Sequence, residues 1–268
     1  MDAFQELNAE RIEQRLQEGA RACRVTVFPT LASTNATAKQ MAVEGAQNGA
    51  VVIAERQSAG RGRMGRSFFS PDGTGLYMSL IVRRDMPISH ATRLTTAAAV
   101  AVAQAIEQVS GRTARIKWVN DIYLDGKKAC GILTEGGICS EGGRLEYAVI
   151  GIGVNVAPPA GGFPSDISDI ATAVFDRAGA AHGAREALAA EILNRLMPML
   201  DNITSLDILN EYRRRSLIQE QCVLVHRAGV PPRAAHALGV DEEFRLLVRY
   251  EDGTTEALDS GEVSVRAQ

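Results

Sequence analysis

The sequence lacks the features that place a chain in a membrane or outside the cell. No uninterrupted apolar run is longer than residues 97–103, whereas a helix that crosses a bilayer needs about 20 apolar residues. Residues 1–20 are polar and acidic, without the apolar stretch of a secretory signal. The 4 cysteines are scattered and match neither a disulfide framework nor a zinc motif. We therefore expect a cytoplasmic protein with reduced thiols and no membrane partner.

An excess of charge of one sign and the common catalytic motifs are missing as well. The chain has 29 Lys and Arg against 32 Asp and Glu, a net charge of -3, which argues against a protein that coats nucleic acid. No nucleophile elbow, Walker A loop or H-E-x-x-H motif occurs, and the 4 histidines lie beside no Ser or Cys nucleophile pattern. The sequence therefore predicts neither an enzyme nucleophile nor a bound zinc ion.

Aromatic residues are also scarce, at 5%, but hydrophobic residues reach 46%, so the chain can bury a core built from Ala, Val, Leu and Ile. Apolar periodicity predicts helices over residues 1–20, 35–45, 91–109, 168–178, 184–200 and 205–215, and strands over residues 24–28, 50–56, 76–83, 114–119, 129–135 and 146–154. Gly111 is predicted to end the helix over residues 91–109, and a turn is predicted at Asp125 and Gly126. From Cys222 onward only short strands are predicted, with a hairpin turn at Asp252 and Gly253. This order indicates an α/β (α+β) main domain followed by a small barrel-like domain.

The segment over residues 57–75 has no periodicity and is rich in Gly and Arg. Residues 60–65 match G-x-G-x-x-G, but the dinucleotide-binding fold needs a helix to begin there, and Pro71 and Gly73 forbid one. Glycines that let backbone N–H groups approach an anion, beside arginines that neutralise it, indicate an anion site. The alternative is a solvated basic surface loop, and the segment alone does not decide between the two.

Three further elements have a functional and a structural interpretation each. Lys117 lies on a strand, where it either reaches solvent or holds an anion. Gly151 and Gly153 end an apolar strand, where glycines mark close approach of a ligand or a bulge. Residues 33–35 (Ser-Thr-Asn) either contact a ligand or simply cap the following helix.

Taken in order, five segments strongly resemble biotin protein ligases, also called biotin–[biotin carboxyl carrier protein] ligases. They are residues 33–35, 57–66, 117–121, 131–135 and 151–155, and residues 260–264 resemble the small C-terminal domain of these enzymes. The resemblance covers roughly residues 25–266. It implies a class II aminoacyl-tRNA synthetase-like mixed sheet flanked by helices in residues 1–217 and an SH3-like β-barrel in residues 218–268.

The resemblance also implies a reaction in two steps. Biotin and MgATP give biotinyl-5′-AMP and pyrophosphate, and the biotinyl group then passes to one lysine of a biotin carboxyl carrier protein. Because a carboxylate and a phosphate must approach each other, positive charge is needed between them. Lys117 and Arg63 are suited to supply it and are implied to be catalytic. The ureido ring of biotin is uncharged, so neutral partners such as Ser33, Thr34 and Gln57 suit it.

The resemblance assigns the remaining contacts residue by residue. The biotin-binding residues are Ser33, Thr34, Asn35, Gln57, Gly60, Arg61, Gly62, Arg63, Lys117 and Gly131. The nucleotide-binding residues are Arg63, Arg66, Phe68, Asn120, Gly153 and Asn155. Mg2+ is expected to arrive with ATP, and no protein ligand is assigned to it.

Other functions are weighed against this one. A lipoate–protein ligase shares the catalytic fold, but the Arg/Gly loop favours biotin. A biotin-sensing or nucleic-acid-binding regulator is a different class, which the net charge of -3 disfavours. Relatives that repress transcription carry an N-terminal winged helix, and too few residues precede the first predicted strand for a helix-turn-helix. We therefore expect a short form without repressor activity or specific DNA binding.

Three expectations remain. Some members of the family dimerise through sheet edges, which allows a homodimer here. Val119 stands where the family commonly has Pro, and it is expected to keep the strand. The loop over residues 58–67 is too rich in Gly to be rigid alone, so we expect it to order when ligand binds and to shield the reactive mixed anhydride from water.

Overall fold

The computed structural model describes residues 6–138, 143–177, 181, 183–227, 229–259 and 263–267. Its helices are α1 (Ala9–Glu13), α2 (Thr34–Val43), α3 (Ala91–Ser110), α4 (Ala184–Asp201) and α5 (Leu206–Arg215). Its strands are β1 (Arg24–Leu31), β2 (Ala50–Gln57), β3 (Gly75–Val82), β4 (Met86–Pro87), β5 (Arg115–Lys117), β6 (Asp121–Leu124), β7 (Lys127–Ile138), β8 (Arg144–Asn155), β9 (Cys222–Arg227), β10 (Val230–Val240), β11 (Leu246–Tyr250), β12 (Thr255–Leu258) and β13 (Val263–Ala267).

Eight strands form one mixed sheet. Its order is β1-β2-β3-β8-β7-β6-β5, with β4 pairing β8 at one end. Only β1 and β2 run parallel, and the other pairings are antiparallel. A large mixed sheet with helices on both faces is the architecture that the sequence predicts.

The two faces of this sheet pack against different helices. Ile53 and Ile152 belong to the large core on the face covered by α3 and α4, whereas Val52 and Val149 pack with Ala38 of α2 on the opposite face. Successive residues of a strand point to opposite faces, so each central strand contributes to both layers. The near-continuous apolar runs of β2 and β3 follow from this double burial.

The longest helix, α3, confirms the clearest helical pattern of the sequence. Its Ala-rich central residues are buried. It ends at Gly111, whose φ of 72° is the left-handed conformation that glycine adopts without strain, and the Gly111 N–H donates to the Glu107 carbonyl. The predicted C-terminal glycine is therefore confirmed.

The C-terminal strands form a separate antiparallel sheet with the order β12-β11-β10-β9-β13. The predicted turn at Asp252 and Gly253 joins β11 to β12, and Gly253 has a φ of 85°. A strand-only C-terminal unit is thus confirmed. The SH3-like barrel and the boundary between residues 217 and 218 stay predictions.

Near the N-terminus, two predicted elements differ from the structure. The helix predicted over residues 1–20 is wrong in extent: α1 is short, and Gly19 lies in a 3-10 turn against Pro198 of α4. Residues 1–5 lie outside the described part of the chain. The strand predicted to stop at residue 28 continues through Pro29 to Leu31. It can do so because β1 is an edge strand, where a residue without an N–H is tolerated.

The helix predicted over residues 168–178 is also wrong for the described residues 168–177, which form turns and bends. Here the backbone pairs with the start of β7 instead: Lys128 N donates to Ile170 O at 2.8 Å, and Thr172 N donates to Lys128 O at 2.9 Å. Tertiary hydrogen bonds therefore override the local helical pattern.

The strand predicted over residues 114–119 ends early, at Lys117. Residues 118–120 form a turn that leads into β6, so the expectation that Val119 keeps the strand is wrong. The cause lies in the C-terminal part of the chain, since the Trp118 Nε1–H donates to Phe244 O at 2.9 Å. The predicted turn at Asp125 and Gly126 is confirmed, with φ values of 48° and 79°.

Candidate ligand-binding site

One row of residues crosses the main sheet and brings the predicted site residues together. Cross-strand partners project from the same face of a sheet, so a row of partners shares one surface. The row runs through Ala54, Tyr77, Gly153, Gly131, Asp121 and Lys117. Lys117 therefore lies on the same face as the two glycines, and this face is the one that α2 covers in part.

Three positions at the centre of this face carry no side chain, and we call Gly131, Gly151 and Gly153 the glycine floor. A Cβ at Gly151 would lie 1.9 Å from Asn35 Oδ1, and one at Gly153 would lie 2.7 Å from the ring of Phe68. The pairing of β7 with β8 is regular at these positions, so the bulge interpretation of Gly151 and Gly153 is wrong. The missing side chains let other groups approach the backbone closely.

Residues 33–35 form the polar end of the site. Thr34 starts α2, but the Ser33 side chain makes no capping hydrogen bond, so the simple N-cap interpretation is wrong. Gln57 Oε1 accepts from Thr34 N at 2.8 Å and from Thr34 Oγ1 at 3.1 Å, and Gln57 Nε2 donates to Ser70 Oγ at 2.9 Å. All three residues of the triplet are buried. These neutral groups surround the site with donors and acceptors that carry no charge.

Asn35 connects this network to the sheet. Its Nδ2 donates to Leu133 O at 3.1 Å and to Glu135 Oε2 at 2.9 Å. Ser79 Oγ lies 2.7 Å from Asn35 Oδ1 and 2.9 Å from Thr34 Oγ1, so its hydroxyl bridges the two side chains. The sequence interpretation missed Ser79 and Glu135. The signal for Ser79 is a single fully buried polar residue within an apolar strand.

The Arg/Gly segment folds back on itself over the floor. Phe68 N donates to Gly60 O at 2.9 Å, and Gly62 N donates to Arg66 O at 2.7 Å. A Cβ at Gly60 would lie 2.4 Å from Phe68 O, so this close approach requires glycine. The one helical element of the segment is a short 3-10 turn at Arg63–Gly65, in agreement with the prediction that no dinucleotide-binding helix begins there.

The three loop arginines lie in different surroundings. Arg63 donates to Asn120 Oδ1 at 2.9 Å, and burial lowers the pKa of its guanidinium, while the Asp121 carboxylate raises it. The Arg61 side chain is 58% exposed, 4.0 Å from Glu135, and Arg66 is exposed. The surface-loop interpretation thus describes Arg61 and Arg66, whereas Arg63 is held at the edge of the floor.

Lys117 and its neighbours form the cationic end. Lys117 Nζ lies 5.5 Å from the ring centroid of Tyr123, and burial raises the pKa of Tyr123 to about 12. Lys128 Nζ lies 2.7 Å from Asp121 Oδ1 and would lie 3.2 Å from a Cβ at Gly131. The sequence interpretation missed Lys128, because a register shift of β7 between Lys128 and Cys130 places it on the same face as Gly131, and local alternation does not show this shift.

Asn120 and Asn155 hold backbone near the site. Asn120 Nδ2 donates to Ile132 O at 2.8 Å, which ties the turn over residues 118–120 to β7. Asn155 is two residues from Gly153 and points to the same face of β8. Its Nδ2 donates to Thr172 O at 3.0 Å, so it contacts the segment wrongly predicted as a helix.

Phe68 completes the cover of the site. Its ring packs edge-on against Tyr77, with centroids 6.5 Å apart, and it covers Gly131 and Gly153. The tyrosine hydroxyl donates to Pro71 O at 2.9 Å, which holds the end of the Arg/Gly segment. The predicted site residues therefore surround one surface, with neutral groups at one end and cations at the other.

The described residues also lack two other kinds of feature. None of the described helices is both long and apolar enough to cross a membrane. Among the same residues, no group of three or more His, Cys, Asp or Glu side chains could hold a metal ion.

Comparison with known proteins places the chain in a family. Residues 27–155, which contain every site residue predicted above, match the model of the biotin/lipoate A/B protein ligase family. The bifunctional ligase/repressor BirA of Bacillus spizizenii is 35% identical over 83% of this chain and 68% of its own length. The chain belongs to the biotin/lipoate A/B protein ligase family.

Other relatives differ in how much of their length the chain matches. The bifunctional ligase/repressor BirA of Bacillus subtilis is 46% identical over 149 residues, and the match spans 56% of this chain but only 45% of that protein. The biotin–[acetyl-CoA-carboxylase] ligase of Mycobacterium tuberculosis is 29% identical over 94% of this chain and 92% of its own length.

The fold of this family member is also that of solved structures. The biotin protein ligase of Aquifex aeolicus, solved in complex with biotin and ATP, has a TM-score of 0.71 at 24% identity. The similarity covers 91% of this chain and 99% of that one. It shows that the two chains share the same fold over that length.

Proposed function

We propose that the protein is an ATP-dependent biotin protein ligase that makes biotinyl-5′-AMP and transfers the biotinyl group to a lysine of a carrier protein. The observation that carries this proposal is the polarity of the site. A neutral network of Thr34, Gln57 and Ser79 lies at one end of the glycine floor, and Lys117 and Arg63 lie at the other. An uncharged head group with a distal carboxylate fits such a site.

The neutral end is proposed to bind the ureido ring. A ring with two N–H donors and one carbonyl acceptor needs partners of both kinds and no net charge. Ser33, Thr34, Asn35 and Gln57 offer hydroxyl and amide groups that are buried or partly buried, so water competes little for them. We assign Gly60, Arg61, Gly62 and Gly131 to the same ligand, since they lie along the loop and the floor.

In the first step, a carboxylate oxygen of biotin attacks the α-phosphorus of ATP, the new C–O–P link forms, and pyrophosphate leaves. Two anions must meet, so the ammonium of Lys117 and the guanidinium of Arg63 lower the barrier by placing positive charge between them. Asn120 supports this arrangement, because it accepts from Arg63 and belongs to the turn that follows Lys117.

In the second step, the amine of the acceptor lysine attacks the acyl carbon, an amide bond forms, and AMP leaves as a proton is released. Lys117 stabilises the departing phosphate. Neither step uses an enzyme nucleophile, which agrees with the lack of a Ser–His or Cys–His pattern in the sequence. We assign Arg66, Phe68, Gly153 and Asn155 to the nucleotide, with the Phe68 ring above Gly153 as an apolar surface against which a base can pack.

The loop over residues 58–67 is proposed to close over the bound adenylate. Met64 is 53% exposed and has a φ of 55°, and Arg61 and Arg66 are exposed as well, so this part of the loop packs little against the rest of the chain. Hydrogen exchange with and without biotin and ATP tests this point. Equal protection in both states contradicts it.

The remaining parts of the proposal concern partners. The relative from Mycobacterium tuberculosis is named for acetyl-CoA carboxylase, which supports a carboxylase carrier domain as the acceptor. Mg2+ is proposed to enter with ATP as substrate.

A homodimer and a cytoplasmic location stay predictions. Absence of repressor activity stays a prediction too, because relatives include bifunctional ligase/repressors; a titration with promoter DNA tests it.

One assay separates the proposal from its alternative, a lipoate–protein ligase. Purified protein is incubated with MgATP and either biotin or lipoate, and pyrophosphate release and the adenylate are measured. The expected result is biotinyl-AMP with biotin and background release with lipoate. Preferential release with lipoate overturns the biotin assignment, and no release with either acid overturns ligase activity.

A further inference from the structure

The turn over residues 118–120 carries proposed site residues at both ends and packs against the C-terminal part of the chain. Lys117 immediately precedes it, and Asn120 is its last residue. Asn120 binds Arg63 through its side chain, and its backbone carbonyl accepts from Ile132 N at 3.0 Å. The position of this turn therefore sets the positions of Lys117, Asn120 and Arg63 together.

Phe244 holds the first residue of the turn. It lies in the connection between β10 and β11, is 1% exposed, and accepts from Trp118 Nε1 at 2.9 Å through its carbonyl. Its φ of 61° is a conformation that a bulky residue rarely adopts and that persists only where the surroundings enforce it. The Phe244 carbonyl is thus aimed at the indole by a conformation that the packing of its ring maintains.

Tyr212 of α5 holds the second residue. Its hydroxyl donates to Val119 O at 3.1 Å, and its ring packs edge-on against Phe244, with centroids 5.4 Å apart. Both groups of this hydrogen bond are buried, so neither is satisfied by water. The phenol is kept protonated, because burial raises its pKa, and the pKa is also sensitive to the charges of Asp121 and Arg63.

Two arginines fasten the Phe244 connection to the main domain. The Arg93 guanidinium of α3 lies 5.6 Å from the Phe244 ring centroid and donates to Glu242 O at 2.9 Å. Arg213 of α5 donates to Val240 O at 2.8 Å. The connection is therefore fixed to the same helices that pack beneath the sheet, and it offers the turn a rigid support.

We propose that Phe244 and Tyr212 are positioning residues for adenylate formation, which they serve by fixing the turn between Lys117 and Asn120. The inference rests on the proposed function, and it assigns the C-terminal strands a part in the first reaction step. If Phe244 and Tyr212 no longer hold the turn, we expect the fold and the neutral end of the site to stay intact, while Lys117 and Arg63 move. A displacement of about 1 Å can slow a reaction about 100-fold, so a smaller shift has a measurable effect.

The first variant is Tyr212→Phe, which keeps the ring and removes only the hydroxyl that binds Val119. Its matched control is Tyr250→Phe, whose hydroxyl donates to Glu256 within the C-terminal sheet, away from the turn. We expect Tyr212→Phe to lower kcat for biotin-dependent pyrophosphate release about tenfold, with the KM for biotin changed less than about twofold. Tyr250→Phe is expected to keep the wild-type kcat.

A spectroscopic readout separates positioning from general destabilisation. Trp118 is the one tryptophan of the chain, so its emission reports on this turn alone. We expect Tyr212→Phe to shift the emission of Trp118 in the native protein and to reduce its change on addition of biotin and ATP. The control variant is expected to leave both unchanged at the same melting temperature.

The outcomes distinguish this inference from the proposed function. Wild-type protein without biotin-dependent pyrophosphate release refutes the proposed function. An active wild type with equal kcat in Tyr212→Phe, or equal losses in Tyr212→Phe and Tyr250→Phe, overturns the positioning role. If Tyr212→Phe does not fold, the same measurements are made on Phe244→Leu, which retains an apolar side chain. A lower kcat with an altered Trp118 emission supports the positioning role, and wild-type values of both overturn it.

Discussion

The two faces of the main sheet are built from the same strands, but on one face the central positions carry no side chain. Three consecutive residues of β8 show this difference, since Gly151 and Gly153 face the site and Ile152 faces α3. On the α3 face, Ile152 and its cross-strand partners Met78 and Ile132 are buried apolar side chains of the large core. On the site face, glycine leaves a surface that Asn35 and Phe68 reach. The close approach of other side chains to the strand backbone, which glycine permits, thus helps to define the proposed site, together with its polar groups.

Loss of Lys117 should have the largest effect on activity. Lys117→Ala removes the cation that is proposed to join the carboxylate and the α-phosphate, so we expect biotin-dependent pyrophosphate release to fall at least about 100-fold. Lys117 is half-buried at the end of a strand, so the melting temperature should change little. Arg144→Ala, which removes an exposed ion pair with Asp85, is the control and should keep wild-type turnover. Near-normal turnover in Lys117→Ala would contradict the assigned role.

The second prediction compares neighbours on opposite faces. Gly153→Val places a side chain on the floor and displaces the Phe68 ring, so affinity for ATP should fall about tenfold or more, while the unfolding free energy should fall by about 1–3 kcal/mol. Ile152→Ala makes a cavity beneath α3 and should lower the unfolding free energy by about 2–5 kcal/mol. Its turnover at low temperature should stay close to wild type. Titration calorimetry and urea unfolding measure the two effects, and equal losses of affinity in both variants would remove the distinction between the faces.

Arg63→Ala should act on retention of the intermediate. Arg63 is the loop arginine held by Asn120, so its loss should release biotinyl-AMP about tenfold faster from the enzyme, measured by rapid filtration. Arg144→Ala serves again as the control. Unchanged retention would mean that the loop arginine does not contact the adenylate.

The smallest effect concerns stability on the α3 side. Hydrogen bonds from Arg214 and Arg215, with burial acting against them, lower the pKa of Glu211 to about 2 from its usual 4.5. Because the folded pKa is lowered, the carboxylate stabilises the fold above pH 4.5, and this contribution is lost as the pH falls towards 2. Glu211→Gln should therefore have a lower melting temperature than wild type at pH 6. This difference in melting temperature should narrow as the pH falls from 4.5 towards 2. A constant difference across this pH range would show that Glu211 does not contribute through its charge.

The sequence predicts best what depends on neighbours along the chain. Helix α3, its terminal Gly111 and the apolar central strands follow from local periodicity. Gly151 and Gly153 stand out because glycine weakens a strand unless something needs the space. Ser79, Glu135 and Lys128 were missed, because their proximity to Asn35 and Gly131 comes from tertiary packing and from the register shift in β7.

Two of the wrong predictions share a physical cause. Residues 168–177 have a helical pattern but bind the backbone of Lys128, and the strand predicted to reach Val119 ends at Lys117 because Trp118 binds Phe244. In both places a contact between distant parts of the chain outweighs local preference. Both places also border the proposed site, where the structure departs most from a regular pattern.

The most direct test of the proposed function is the mass of a carrier domain after incubation with the protein, biotin and MgATP. We expect the mass to increase by one biotinyl group on a single lysine. The increase should require ATP, and it should not occur with Lys117→Ala. An unchanged carrier mass, in the presence of folded wild-type protein and every substrate, would contradict the assignment of the site to biotin transfer.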